Sequence, residues 1–218
     1  MARLLFEKKG NAVWISHLDL MRLFQRAFKR AGFPLKHTQG FNPRPHVTIA
    51  LPLSVGIESS CELLDFELEG EYSCSEILDR LNSCLVDGIR VLDVYENGRK
   101  IKDLALLSCQ IDLEYDEGIP ADAQEQIALL FQRESLFMEK RNRNGVTQQD
   151  LIPMIRKLEI RRQDDHVLTM DALVCCQNPT LNPAQISGAI SLYLAEYAPN
   201  FSKCARLEIY DNNEKIFR

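Results

Sequence analysis

Apolar positions along the first part of the chain recur with two periods, and the changes of period delimit the predicted elements. Residues 2–9 and 89–96 have strand character, and residues 61–70 alternate apolar with acidic positions, which predicts a half-exposed strand. Helical spacing covers residues 17–31 and 73–85, with short extended pieces around the intervening loop. The order β-α-β-β-α-β is that of a ferredoxin-like domain with an enlarged middle connection.

The second part of the chain repeats this outline without a residue-level repeat. Strands are predicted over residues 106–115 and 204–211, and helices over residues 121–135 and 182–197. Residues 158–176 read as a hairpin that turns at 163–165. The two parts therefore have the same predicted class of fold.

The polar segment 96–103 is the predicted boundary between these parts. We therefore predict an α+β protein of two tandem ferredoxin-like halves packed together, residues 1–100 and 101–218. With 218 residues the chain is long enough to bury a substantial core. The basic segment 140–145 is predicted to be a solvated hairpin tip.

The first helix has signals at both ends and two different faces. Ser16 and Asp19 form a capping-box-like start, and Gly32 followed by Pro34 predicts the end near Ala31. Four cations follow: Arg22, Arg26, Lys29 and Arg30. At about 100° per residue they lie within an arc of about 100°, opposite the apolar residues. Because the apolar arc must pack on a sheet, the cations are predicted to form one solvent-facing stripe.

Charge is distributed unevenly along this acidic chain. Residues 1–50 contain nine Lys or Arg and two Asp or Glu, a charge of +7, so the other 168 residues sum to −12. Net acidity argues against an indiscriminate nucleic-acid binder, whereas a local basic face suits a positioned anionic partner such as RNA. A solvated face that serves only solubility is the alternative for the helix taken alone.

The loop after the first helix is stiffened and adds positive charge through Lys36 and Arg44. Its motif residues are Gly40, Phe41, Asn42, Pro43 and Pro45. Proline fixes φ and glycine allows positive φ, so the loop has a restricted shape. The aromatic side chain in the motif stacks on a base if it is exposed and pins the loop if it is buried, and the sequence leaves both readings open.

Histidine suits acid–base chemistry near neutral pH. His37 and His46 are the weak catalytic candidates, with no obvious orienting carboxylate nearby in the sequence. His17 lies on the apolar side of the first helix and is interpreted as structural. The chain has no GxGxxG, GxxxxGK[ST], HExxH or GxSxG motif, so no catalytic motif is identified.

The seven cysteines form neither CxxC nor CxxxCxxC. We therefore predict mostly buried thiols and neither a bound metal nor a cofactor. No apolar run approaches the roughly 20 residues of a membrane helix, and the N-terminus lacks a signal segment, so the expected location is cytoplasmic.

Over nearly its full length, with specific motifs in residues 16–58, the chain resembles a bacterial family of radical-SAM-associated domains of unknown function, whose members occur fused to a radical SAM module or beside one. The motifs that carry the resemblance are Ser16–Asp19, the basic helix, the loop motif, Pro52-Leu53, Gly56 and Glu58; residues 150–160 are similar to a weaker family motif. The resemblance implies a radical SAM partner of the RNA-modifying kind and no established activity.

The sequence thus predicts a non-catalytic accessory protein that binds RNA, or another anionic substrate, and presents it to a radical SAM enzyme. The predicted phosphate-binding residues are Arg22, Arg26, Lys29, Arg30, Lys36 and Arg44. A protein–protein adaptor for the radical SAM partner is the alternative. A metal-independent endoribonuclease, with His17, His37 or His46 as acid and base, is a third hypothesis. The chain also has a faint architectural likeness to CRISPR endoribonucleases with two ferredoxin-like domains, and fold alone does not carry function.

Overall fold

The computed structural model describes residues 1–142 and 145–218. The chain divides into two units, Met1–Ile101 with Arg218, and Lys102–Phe217. Each unit contains four antiparallel strands and two α-helices, and the second contains an additional two-stranded hairpin.

The first unit follows the order β-α-β-β-α-β. Its elements are β1 (Ala2–Lys8), α1 (His17–Arg30), β2 (Val47–Ile49), β3 (Glu58–Phe66), α2 (Cys74–Asn82) and β4 (Ile89–Glu96). The strands lie in the order β4-β1-β3-β2, and each neighbouring pair is antiparallel. This is the ferredoxin-like arrangement that the sequence predicts.

Both helices of this unit begin at serine caps and pack through aromatic side chains. The Ser16 and Ser73 hydroxyls accept hydrogen bonds from the third backbone N–H of α1 and of α2, at 3.2 Å in each case. Phe24 packs against Phe6 with ring centroids 4.8 Å apart, and Phe28 lies 4.9 Å from the ring of Phe66. Each fully buried side chain of this size contributes about 1.5–3 kcal/mol, so the apolar arc of α1 anchors the helix.

The prediction of a half-exposed third strand is wrong for its centre. Residues 61–64 are all buried, and β3 begins earlier than predicted, at Glu58. Asp65 on the face that was expected to be solvated accepts a bond from Arg3 of β1, with 2.5 Å between Nε and Oδ1. Arg3 is itself buried. Asp65 is therefore paired within the sheet, and alternation alone does not reveal such pairing.

The second unit repeats the same order with one insertion. Its elements are β5 (Leu106–Glu114), α3 (Ala123–Phe131), β6 (Phe137–Asn142), β7 (Gly145–Asp150), β8 (Ile155–Arg162), β9 (Val167–Cys175), α4 (Ala184–Tyr193) and β10 (Phe201–Tyr210). Four strands lie in the order β10-β5-β9-β8, and β6 pairs with β7 as a separate hairpin. The α+β class and the ferredoxin-like topology are confirmed.

Element bounds in this unit differ from the predictions at several ends. Helices α3 and α4 are shorter than the predicted 121–135 and 182–197. The basic segment predicted as a hairpin tip belongs to a longer hairpin, because β6 and β7 pair from Phe137 opposite Asp150 to Asn142 opposite Gly145. Residues 143–144 of that predicted tip lie outside the described residues.

Candidate nucleic-acid interface

Helix α1 ends through a glycine that the sequence identifies. Gly32 adopts φ +75°, a conformation that favours glycine, and the Phe33 N–H donates to the Phe28 carbonyl at 2.9 Å. Arg80 of α2 donates to the Ala31 carbonyl, which satisfies another group at this helix end. The chain therefore leaves α1 in a defined direction and enters the loop that carries the predicted motif.

The four cations of α1 are exposed, as the helical wheel predicts: Arg22, Arg26, Lys29 and Arg30. Arg22 pairs with Asp19 at 3.0 Å on the surface, and Arg30 donates to the Cys84 carbonyl. Arg26 and Lys29 make no hydrogen bond or ion pair within the described residues. These two side chains are available to an anionic partner without breaking an internal contact.

Asp19 neutralises charge only at the start of the helix. Hydrogen bonds from the Ser16 hydroxyl and from Arg22 lower the pKa of its carboxyl, which therefore stays ionised at neutral pH. Beyond Asp19, α1 has no further acidic residue. The cationic character of the surface consequently increases toward the C-terminal end of the helix.

Residues 36–46 form a short hairpin, named here the 36–46 hairpin. The His46 N–H donates to the Lys36 carbonyl at 2.8 Å, and the Thr38 N–H donates to the Arg44 carbonyl at 2.9 Å. Phe41 lies at its tip and is fully exposed to solvent. The reading in which this ring is buried and pins the loop is therefore wrong, and the ring is free to stack.

Three backbone segments meet at the base of this hairpin in a closed ring of hydrogen bonds. Lys36 donates to Glu67 at 2.9 Å, Glu67 donates to His46 at 3.1 Å, and His46 donates to Lys36 at 2.8 Å. The ring brings the His46 Nδ1 within 3.3 Å of the Glu67 Oε2. The sequence reading found no orienting carboxylate for this histidine because Glu67 lies 21 residues away along the chain.

The two candidate histidines do not converge. His37 forms a backbone bridge with Pro45, one position away from the Lys36–His46 pairing. Because successive side chains of an extended segment point to opposite faces, His37 and His46 lie on different sides of the hairpin. His37 and the motif residues at the tip are exposed, as are Lys36 and Arg44.

A groove with a volume of about 630 Å³ lies between the C-terminal part of α1 and the base of the 36–46 hairpin. Its lining includes Gln25, Lys29, Phe33, Leu35, His37 and Pro45. Apolar residues and the charged residues Lys29 and Glu69 therefore line the same groove. The sequence reading did not identify this groove, because its walls come together only when the chain turns at Gly32 and returns through the hairpin.

Trp14 is an exposed aromatic residue that the sequence reading did not single out. It lies 69% exposed at the end of a short 3-10 helix (Gly10–Trp14). The Lys8 Nζ donates to the carbonyls on both sides of it, Val13 at 3.1 Å and Ile15 at 2.9 Å. Burial lowers the pKa of Lys8. The sequence does carry a signal for this exposed aromatic residue, because Trp14 is its only tryptophan and lies two residues before the Ser16 cap.

The cysteines are free thiols that lie mostly within the fold. Cys61, Cys109, Cys175 and Cys176 are buried, and the other three are half-buried. Burial raises the pKa of Cys176 to about 12, so this thiol stays protonated at neutral pH. Within the described ranges, no three His, Cys, Asp or Glu side chains cluster as metal ligands would.

Among residues 1–142 and 145–218, no helix combines the length and apolar character needed to cross a membrane.

The family model of DUF2344, described as an uncharacterized protein conserved in bacteria, matches residues 2–183. The chain belongs to this family. The match covers the whole basic helix, the 36–46 hairpin and the groove. No curated protein matches the sequence.

One of the solved structures that match this chain is similar in fold. A crystal structure of a Cbf5-Nop10-Gar1 complex contains a chain with a TM-score of 0.50 and 10% identity, over 95% of this chain and 48% of that chain. The protein thus spans about half the length of that relative, and the likeness concerns the fold alone. A crystal structure of an unknown protein from Galdieria sulphuraria has a TM-score of 0.27 and 10% identity, over 96% of both chains.

Proposed function

We propose that this protein binds RNA through its first unit and presents the RNA to a radical SAM modification enzyme, without catalysing a reaction itself. The observation that carries the proposal is the row of exposed cations on α1, which leads to a hairpin with a fully exposed Phe41 at its tip. Cations supply the grip on phosphate, and the aromatic ring supplies a stacking surface.

The local charge favours a polyanion. Residues 17–46 contain six Lys or Arg and one Asp, a charge of +5, within a chain of net charge −5. Arg22, Arg26 and Arg30 succeed one another at spacings of four residues, which weakens an isolated helix by about 0.2–0.5 kcal/mol per like-charged pair. Phosphates placed along this row remove that repulsion and release condensed counterions.

The partner follows from sequence rather than from geometry. The motifs of residues 16–58 resemble those of radical-SAM-associated domains, and this chain lacks the CxxxCxxC run of a radical SAM cluster. In the proposal, the partner enzyme supplies the iron–sulfur cluster, and this protein supplies substrate binding. The second unit, residues 102–217, has 12 Lys or Arg and 18 Asp or Glu, a charge of −6, which disfavours nucleic acid there.

The direct test replaces Arg22, Arg26 and Lys29 together by glutamine. Arg30 is kept because it holds the Cys84 carbonyl. We expect an unchanged circular dichroism spectrum, affinity for a labelled RNA stem-loop reduced at least about tenfold, and a salt slope lower by about 0.7–0.9 per lost phosphate contact.

The matched control removes the same charge from the second unit. Lys157, Arg161 and Arg162 are exposed cations of β8 in surface ion pairs, and their replacement by glutamine should leave RNA affinity within about twofold. Equal affinities of the α1 variant and the parent would refute RNA binding at this surface. If the parent then retains an acidic protein partner that the α1 variant does not retain, the adaptor hypothesis is favoured.

An endoribonuclease is the second candidate, because Glu67 lies 3.3 Å from His46 and could orient its imidazole as an acid or base. Against it, His37 lies on the other side of the hairpin and supplies no second acid–base group there. Incubation of the parent with the stem-loop should leave the RNA intact. Cleavage that disappears in His46→Ala would establish the nuclease instead.

A further inference from the structure

We infer that the groove between α1 and the 36–46 hairpin holds one unpaired nucleotide, so that the protein selects single-stranded segments of RNA over duplex. This inference rests on the proposed function and specifies the substrate class of that site. Its support lies in the size of the groove, the chemistry of its walls and the placement of its charges.

The groove has the dimensions of a small-ligand site. Its volume of about 630 Å³ falls within the roughly 300–1,000 Å³ that such sites occupy. Its accessible apolar walls come from Pro34 and Pro45, over a floor of the buried Phe33 and Leu35, and proline rings suit contact with the face of a base. A base that enters the groove exchanges water for contact with this apolar surface.

The rim of the groove has a cation on one side and a carboxylate on another, and this arrangement sets the orientation of the bound nucleotide. Lys29 stands on the α1 side, one turn beyond Arg26, and attracts a phosphate. Glu69 stands on another side, where its N–H donates to the Pro34 carbonyl at 2.8 Å. A carboxylate repels phosphate and accepts bonds from the amino or imino groups of a base. The phosphate therefore lies toward Lys29 and the base edge toward Glu69.

The walls are held in place before any ligand binds. The Arg80 guanidinium lies 4.3 Å from the centroid of the Phe33 ring, and the Tyr72 ring packs edge-on against the same ring at 4.9 Å. Arg80 is fixed in turn by Glu76 at 2.6 Å. A preformed wall spares the ordering cost that a mobile loop would add to binding.

To enter such a groove, a nucleotide must leave both its base pair and the base stack. The bases of an A-form duplex offer narrow or shallow grooves to side chains, whereas unpaired bases expose their faces and edges. Phe41 at the tip of the 36–46 hairpin offers a second stacking surface to the same strand. A perfect duplex engages only the cations of α1, and a single-stranded segment engages these cations and the groove.

The experiment compares two labelled RNAs, a fully paired duplex and the same duplex with an unpaired loop. We expect the parent to bind the looped RNA at least about tenfold more tightly, a difference of about 1.4 kcal/mol. Gln25 lines the groove, so Gln25→Trp fills it and should abolish this preference while duplex binding persists. Ser75→Trp, at an exposed position of α2, is the matched control and should retain the preference.

A second pair of variants tests the inference independently, in case Gln25→Trp does not fold. Glu69→Gln and Glu71→Gln remove the same charge from neighbouring exposed positions, and only Glu69 lines the groove. The ratio of looped to duplex affinity should fall several-fold in Glu69→Gln and stay unchanged in Glu71→Gln. Equal binding of both RNAs by the parent overturns this inference alone. If the parent binds neither RNA, the proposed function is overturned as well. If the groove binds an acidic peptide instead, its ligand is a peptide and not a nucleotide.

Discussion

The first helices of the two units occupy the same place in the ferredoxin-like order, yet their surfaces differ in charge. Helix α1 carries four Lys or Arg and one Asp, whereas α3 (Ala123–Phe131) has no Lys or Arg and one Glu. Both helices bury an apolar face, through Phe24 and Phe28 in α1 and through Ile127 and Leu130 in α3. The shared fold therefore accounts for the apolar face of each helix and does not account for the cations of α1.

The two units also differ in what they insert between the first helix and the second strand. The first unit inserts the 36–46 hairpin, with three prolines or glycines among residues 40–45 and a fully exposed Phe41. The second unit inserts β6 and β7, whose described tip residues are polar apart from Val146. A shared scaffold thus carries two different attachments at one position, and the first has a fully exposed aromatic ring at its tip, whereas Phe137 at the start of β6 is half-exposed.

The largest expected effect tests whether the buried faces of the two helices are equivalent. Phe28→Ala in α1 and Ile127→Ala in α3 each leave a cavity at a fully buried site, so we expect losses of about 3–5 and about 2–5 kcal/mol in the free energy of unfolding. Urea unfolding followed by circular dichroism measures both. A negligible loss for either substitution would show that its helix is not anchored by this face.

An intermediate effect separates the two attachments. Phe41→Ala should leave stability unchanged, because the ring contacts solvent, and should weaken RNA binding by about 1–3 kcal/mol through lost stacking. Val146→Ala on β7 removes exposed apolar surface from the other hairpin and should not change RNA binding. Fluorescence anisotropy with the looped RNA measures both variants, and equal affinities of parent and Phe41→Ala would remove the stacking role.

The smallest effect concerns the charge of the two helices. Arg26→Glu places an acid four residues from both Arg22 and Arg30, so we expect stability to rise by about 0.5–1 kcal/mol at low salt while RNA binding is lost. Gln126→Glu in α3 places an acid four residues from Asp122, so we expect a slight decrease. Both changes should fade in 1 M salt. A marked loss of stability in Arg26→Glu would assign the cations of α1 a structural role.

Comparison of prediction and structure shows which kind of sequence signal is sufficient to predict the bounds of an element. Serine caps, the glycine stop and the apolar arc placed α1 to within one residue, because these signals act within a few residues of the helix itself. The strand β4 (Ile89–Glu96) matches its predicted range for the same reason. The buried centre of β3 was missed, because the pairing of Asp65 with Arg3 joins residues 62 positions apart.

The sequence by itself determined the ferredoxin-like order of helices and strands in each unit and the separation of cations from apolar residues on α1, but it did not predict the strands β6 and β7. These features follow from periodicity, capping and charge, which are local properties of the chain. Only the tertiary structure decided that Phe41 is exposed, that Glu67 meets His46, and that a groove opens between α1 and the 36–46 hairpin. Each of these depends on how distant segments approach one another, and local spacing does not encode that approach.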